Sequence, residues 1–217
     1  MREQPKPRRI PIQDRSRQRV ERILDAAAHV FLETGYDAAS TEAIAVRAGT
    51  SIGSIYQFFP NKASLFDAMA ARYLEQSCAL FMEMLTPAAV TMPWEKLLDH
   101  MIDAFAAFHR SAPGLRAVLL NWRLSVEFLA AGDELNREFA RRTEAVLAVH
   151  AKALTARERS LVATMVVEVM SGMLLVAMRR DHPTADALLA ETKTLLRRYL
   201  RPYARKKRGP LPKKRAR

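Results

Sequence analysis

Cysteine is nearly missing from this chain. Cys78 stands alone among 217 residues, so no intrachain disulfide can form, and the composition suits a reducing cytoplasm. Cys78 lies in an apolar helical pattern and reads as a buried structural thiol rather than a nucleophile. Glycine is scarce as well, with seven residues, which predicts few turns and long helices. No strand-like alternation persists anywhere, and no internal repeat is visible. The five histidines (His29, His100, His109, His150 and His182) are scattered without metal-ligand spacing. No G-x-S-x-G, P-loop or dinucleotide glycine pattern occurs. An enzyme would therefore lack any catalytic constellation, and neither a metal nor a cofactor is expected. The first twenty residues are polar and proline-rich, without the apolar core of a secretory signal. The most apolar stretch, residues 160–178, carries Glu168 in its middle. A central charge is costly in a bilayer, so this reads as a buried helix and not a membrane span.

What the chain does have is positive charge, concentrated at its ends. The net formal charge is +12. Residues 1–22 hold eight Lys/Arg against three acids, and residues 201–217 hold nine against none. The body between them is almost neutral. Clustered cations attract polyanions, nucleic acid before membrane. Residues 1–14, with Pro5, Pro7 and Pro11 among the cations, read as a disordered basic arm, and residues 204–217 as a disordered basic tail.

The interior is a succession of helical patterns. From about Ser16, the spacing of Val20, Ile23, Leu24, Ala27, Val30 and Phe31 places them on one face, and Gly35 offers a left-handed stop. A short helix is predicted over residues 41–48, with Ser40 and Thr41 as natural caps, and Gly49 ends it. A second short helix covers about 52–59 and breaks at Pro60-Asn61. A longer helix begins near Lys62, with Leu65, Phe66, Met69 and Tyr73 on one face. Further helices are expected over 94–111, 115–129, 133–154, 155–180 and 184–203. The fourth of these opens with a capping box, Thr155 to Glu158. One long helix and two short ones around a glycine-containing turn form the layout of a helix-turn-helix unit.

The residues of that unit carry a family resemblance. Gly35-Tyr36, Thr41 with Ile44-Ala45, Ala48-Gly49, Ser51 with Gly53, Ile55, Tyr56 and Phe59, then Lys62 with Leu65, follow a fixed spacing over roughly residues 16–75. This stretch resembles the DNA-binding domain of the TetR family. The resemblance implies an all-α protein: a DNA-binding domain over 15–62 and a helical effector-binding and dimerisation domain over 63–203. It implies a bacterial, cytoplasmic regulator, nucleoid-associated when bound to operator DNA. Most residues of the motif are structural.

Contact candidates are the polar or small residues left over. Thr41, at a helix N-terminus, can offer its hydroxyl to phosphate. Ser51, Ile52, Gly53 and Ser54 open the second short helix, the end that meets base edges in a helix-turn-helix. Gly53 would allow close backbone approach, Ile52 suits a thymine methyl, and Gln57 suits adenine. By resemblance, Tyr56 and Lys62 contact phosphate, and Arg17 and Arg19 can do so from the first helix. Phe58 stands where many members carry His or Tyr, so a phosphate contact there is lost or replaced by packing.

The resemblance also implies a homodimer through residues 155–180 and 184–203. The first of these segments is apolar nearly all round and needs cover on both sides. Ser171 and Gly172 would admit a close helix approach. An unknown small-molecule effector is expected, with Met101, Phe105, Phe108, Trp122, Phe128 and Met165 as apolar pocket candidates. Glu168 either pairs with an arginine or meets a cationic ligand. The rival reading is a sequence-indifferent DNA-binding protein that relies on its basic ends.

Overall fold

A computed structural model describes residues 12–111, 114, 117–118 and 126–204. The expected arm and tail therefore lie almost wholly outside the described residues. The helices are α1 (Ile12–Ala38), α2 (Thr41–Ala48), α3 (Ile52–Phe58), α4 (Lys62–Met84), α5 (Pro87–Thr91), α6 (Trp94–Ser111), α7 (Val126–His150), α8 (Ala156–Ala177) and α9 (His182–Ala204). No strand occurs among the described residues.

Two units form. The first holds residues up to Ala70, together with Gly114, Ala117 and Val118; the second holds 71–111 and 126–204. The expected boundary at residue 62 therefore moves eight residues on. The physical reason is that Leu65, Phe66 and Met69, on the first turns of α4, are buried in the first unit's core. Gly114 also belongs there, since a Cβ on it would stand 3.0 Å from that of Ala28.

In the first unit, Ile23, Ala27, Phe31, Ile44, Ile55 and Leu65 are buried. Phe31, Tyr36 and Phe66 form an aromatic triad with ring centroids 5.4–6.0 Å apart. α1 starts at Ile12, inside the segment expected to be a disordered arm. Its regular part ends at Gly35, as expected. However, φ 78° and ψ 167° put this glycine in the extended positive-φ region rather than the left-handed helical one. That region is essentially closed to other residues.

In the second unit, Phe81 and Phe139 stack with centroids 4.0 Å apart, and Phe105 meets both at steeper angles. α6 and α9 run antiparallel, joined by the ion pairs Asp99–Arg197, Asp103–Lys193 and Arg110–Asp186. Exposed pairs of this kind set register more than stability. The capping box at Thr155 and Glu158 forms as expected, with reciprocal hydrogen bonds. Three other expectations need correction. α5 was not anticipated; Thr86 caps it and Pro87 sits in its first turn. The break expected between residues 129 and 133 is absent, because α7 runs unbroken through Gly132 from Val126 to His150. A glycine inside a helix costs only about 1 kcal/mol, which burial of Phe139, Ala140 and Leu147 further along outweighs. Cys78 is half-buried, not buried.

α8 is long and apolar enough to cross a membrane by length and composition alone. One face, with Val162, Val166, Val167, Met170 and Leu174, is nevertheless buried inside the unit. The opposite face leaves Leu161 64 %, Met165 44 % and Val176 36 % exposed. Among the described residues, the helix is thus covered on one side only.

Candidate nucleic-acid interface and effector cavity

The turn between α2 and α3 is built from short-range chemistry. Ser40 caps α2, its hydroxyl accepting from Ala43 N–H at 3.1 Å. Gly49 ends α2 in the left-handed conformation, φ 61° and ψ 40°, which a glycine adopts without steric cost. Thr50 N–H then donates to Ala45 O at 3.0 Å, closing the helix end. Ser51 caps α3 by accepting from Ser54 N–H at 3.2 Å. Ile55 is fully buried and roots α3 in the unit. With that residue facing inward, Ser51, Ile52, Gly53, Tyr56 and Gln57 face solvent, and Ser54 is half-buried. Arg17 and Arg19 are exposed on α1.

Two candidates take positions that the sequence did not suggest. Thr41 is buried, and its hydroxyl shares a 3.2 Å hydrogen bond with Tyr56 Oη. Its hydroxyl thus restrains the phenol of a half-exposed tyrosine. Lys62 changes more. Its ammonium donates to the carbonyls of Tyr36 at 2.7 Å, Asp37 at 3.1 Å and Ala39 at 3.1 Å, and sits 4.6 Å from the Tyr36 ring centroid. An ammonium has three hydrogens, and all three are engaged. In the unbound chain, Lys62 thus closes the carbonyls around the end of α1. The start of α4 is secured beside it by a reciprocal pair, Ser64 N–H to Asn61 Oδ1 and Asn61 N–H to Ser64 Oγ. Phe58 is half-buried beside Phe59, their ring centroids 6.4 Å apart. Sequence reasoning passed over Val46, which is 82 % exposed on α2. Its one visible signal was an apolar residue off the buried face.

The second unit encloses an apolar cavity of about 80 Å³. Its walls include Phe81, Trp94, Leu98, Met101, Val167 and Leu200, with Thr143, His150 and Tyr203 as polar points. His150 Nε2 lies 2.7 Å from Val90 O, which orients the ring. Of the pocket candidates, Met101 lines this cavity. Phe105 is buried in the core beside it, and Phe108 stacks on Tyr73 at 5.7 Å. Met165 and Glu168 sit on the exposed face of α8, away from the cavity. Glu168 accepts from Asn136 Nδ2 at 3.4 Å within the chain, and its carboxylate stays on the exposed face of α8. Trp122 and the side chain of Phe128 lie outside the described residues.

His109 was read only as one of five scattered histidines. It is buried among Tyr73, Phe105 and Phe108, with Nε2 3.1 Å from Tyr73 Oη. Its Nδ1 has no hydrogen-bond partner among the described residues. Burial pushes its pKa down to about 4, so the ring is neutral at pH 7.

Comparison with known proteins agrees with this geometry. The profile of "Bacterial regulatory proteins, tetR family" matches residues 23–69. The profile "Tetracyclin repressor-like, C-terminal domain" matches residues 93–200. The chain is 31 % identical over 113 residues to the HTH-type transcriptional regulator UidR of Escherichia coli K12. That alignment covers 51 % of this chain and 50 % of UidR, so the chain spans about half the length of that relative. Over 60 residues it is 37 % identical to the HTH-type transcriptional repressor KstR of Mycolicibacterium smegmatis, covering 28 % of this chain and 29 % of KstR. A crystal structure of a TetR-family transcriptional regulator from Streptomyces coelicolor superposes with a TM-score of 0.59 at 33 % identity, over 85 % of this chain and 99 % of that one. The SmeT–triclosan complex shares the fold, with a TM-score of 0.66 at 21 % identity over 90 % and 100 % of the two chains.

Proposed function

The chain belongs to the TetR family of bacterial regulatory proteins, whose members are transcription regulators and not enzymes, and from that premise we propose that it is an effector-responsive repressor that binds a two-fold symmetric operator as a homodimer. The observation that carries this reading is the presentation of α3. Ile55 anchors the helix, while Ser51, Ile52, Gly53, Tyr56 and Gln57 are all exposed on one short element. Such a surface suits the major groove, where the N-terminal residues of a recognition helix meet base edges. Tyr56, restrained by Thr41, meets a phosphate, and Arg17 and Arg19 add phosphate contacts from α1. Repression is supported by the name of KstR. The site of action is the bacterial cytoplasm, at the nucleoid.

The exposed stripe of α8 supports the dimer. Leu161, Met165, Glu168, Gly172 and Val176 lie on one side of this helix, and Leu195 adds an exposed apolar residue on α9. A second copy of the same face would bury them, in the isologous manner of two-fold dimers. Two half-sites read together supply affinity that one short helix lacks.

The cavity supports effector control. Its volume of about 80 Å³ is small beside the pockets of about 300–1,000 Å³ that hold drug-sized ligands. A ligand that enters must widen it and so favours the state in which it is open. That differential affinity is what release from DNA requires.

Selection of bound duplexes from a random DNA pool, with wild type beside Tyr56→Ala, tests the reading. An enriched symmetric site that the variant binds poorly is the expected result. Equal, sequence-indifferent binding by both proteins would transfer the function to the basic ends, with a steep salt dependence.

A further inference from the structure

A second, charged groove adjoins the apolar cavity. It measures about 230 Å³ and is lined by Trp94, Glu95, Thr194, Arg197, Arg198 and Arg201. Trp94 lines both spaces. The last turns of α9 serve both in the same way. Leu200 and Tyr203 line the cavity, while Arg197 and Arg201, within a turn of Leu200, line the groove. One turn of helix rises about 5.4 Å, so the apolar and cationic walls are one side chain apart. The groove's charges are not neutralised from within. Arg197 is paired with Asp99. Arg198 and Arg201 have no acidic partner among the described residues, and Glu95 is the one carboxylate on the lining. Residues 205–217 add eight further Lys/Arg and no acid to the chain after α9.

We propose that the second unit binds an amphiphilic anion, with a slender apolar chain in the cavity and a carboxylate or phosphate head on Arg198 and Arg201, the Trp94 indole standing between the two. A cavity of about 80 Å³ that must widen on entry is filled more readily by a flexible unbranched chain than by a rigid fused-ring body. Guanidinium forks match the geometry of both head groups, and the Thr194 hydroxyl supplies a further donor. His150, Thr143 and Tyr203 are too few to favour a polar ligand throughout. This assignment rests on the reading of the second unit as the effector domain and names the chemical class of its effector.

Calorimetry on the full chain in the absence of DNA tests it, using dodecanoate, dodecyl phosphate and dodecanol below their aggregation limits, with inorganic phosphate as the head group alone. Wild type should bind one dodecanoate or dodecyl phosphate per chain, about tenfold or more tighter than dodecanol, as hydrogen bonds to charged groups imply. Relative strength of the two anions identifies the head group. Arg198→Gln/Arg201→Gln should erase that advantage and leave dodecanol binding unchanged. Both positions are exposed, so the variant folds, and circular dichroism verifies this. Ala151→Leu, which fills the cavity from its wall, should weaken dodecanoate and dodecanol alike. Equal binding of anion and alcohol by wild type overturns the proposal. So does an anion advantage that survives the double arginine variant, or anion binding indifferent to Ala151→Leu, since both would place the anion on other cations. Adding dodecanoate to the operator complex separates the underlying reading. Binding with the predicted pattern but no release of DNA leaves the site standing and removes its role as effector site.

Discussion

The two units are packed for different tasks. In the first, hydrogen bonds close the helix ends, locally where Ser40 and Ser51 cap α2 and α3 and Gly49 closes α2, and at long range where Lys62 collects three carbonyls beside α1. Its interior is filled by the Phe31–Tyr36–Phe66 triad. The second unit keeps an apolar cavity, a buried histidine nitrogen without a partner among the described residues, and one exposed apolar helix face. A surface that reads DNA must be presented in one geometry, so its support is saturated. The effector response proposed for the second unit needs slack, which unfilled volume and unmet polarity would supply.

This contrast can be broken or sharpened by substitution. The largest effect is expected from Phe31→Ala, which empties the centre of the triad and should cost about 3–5 kcal/mol. Hydrogen exchange followed by mass spectrometry should place the loss in the first unit. Next comes acid. His109 has a folded pKa near 4, well below the ordinary value of about 6.5. Below pH 6.5 the unfolded chain takes up a proton that the folded chain refuses, so stability falls from pH 6.5 down to about 4. The loss should reach roughly 3 kcal/mol, and His109→Gln should flatten the fall in Tm between pH 7 and 4.5. The third test opposes the two interiors directly. Ala45→Leu, in the filled unit, should cost about 1–3 kcal/mol through overpacking, whereas Ala151→Val, on the cavity wall, should cost nothing measurable by urea unfolding. The smallest effect marks where the units agree. Ser40→Ala and Thr155→Ala each remove one cap and should each cost about 1 kcal/mol.

The legibility of the sequence followed the same division. α2 appears at residues 41–48 and α6 at 94–111 as expected, because their limits are set by neighbours in sequence: Ser40, Gly49, Pro93 and the capping chemistry around them. Gly132 misled because its effect depends on what the rest of α7 buries, and that is decided by long-range packing. Thr41 and Lys62 fall on the expected helices, but their intrachain hydrogen bonds were not legible. Their partners, Tyr56 at fifteen residues' distance and the carbonyls of 36–39 at more than twenty, cannot be read from local pattern. The cavity was the least legible feature. Met101, Phe105 and Phe108 share an apolar helix, and only the fold decides which of them faces space, core or Tyr73.

The central claim is that α3 reads DNA and the exposed face of α8 pairs the readers. Fluorescence anisotropy with the selected full operator and with one half-site, using wild type and Leu161→Glu/Met165→Glu, tests both parts together. Sedimentation gives the oligomeric state of each protein. The double variant should be a folded monomer that binds the half-site as wild type does, but the full operator about 10²-fold or more weakly through loss of avidity. A monomeric variant that binds the full operator as tightly as wild type would contradict the account.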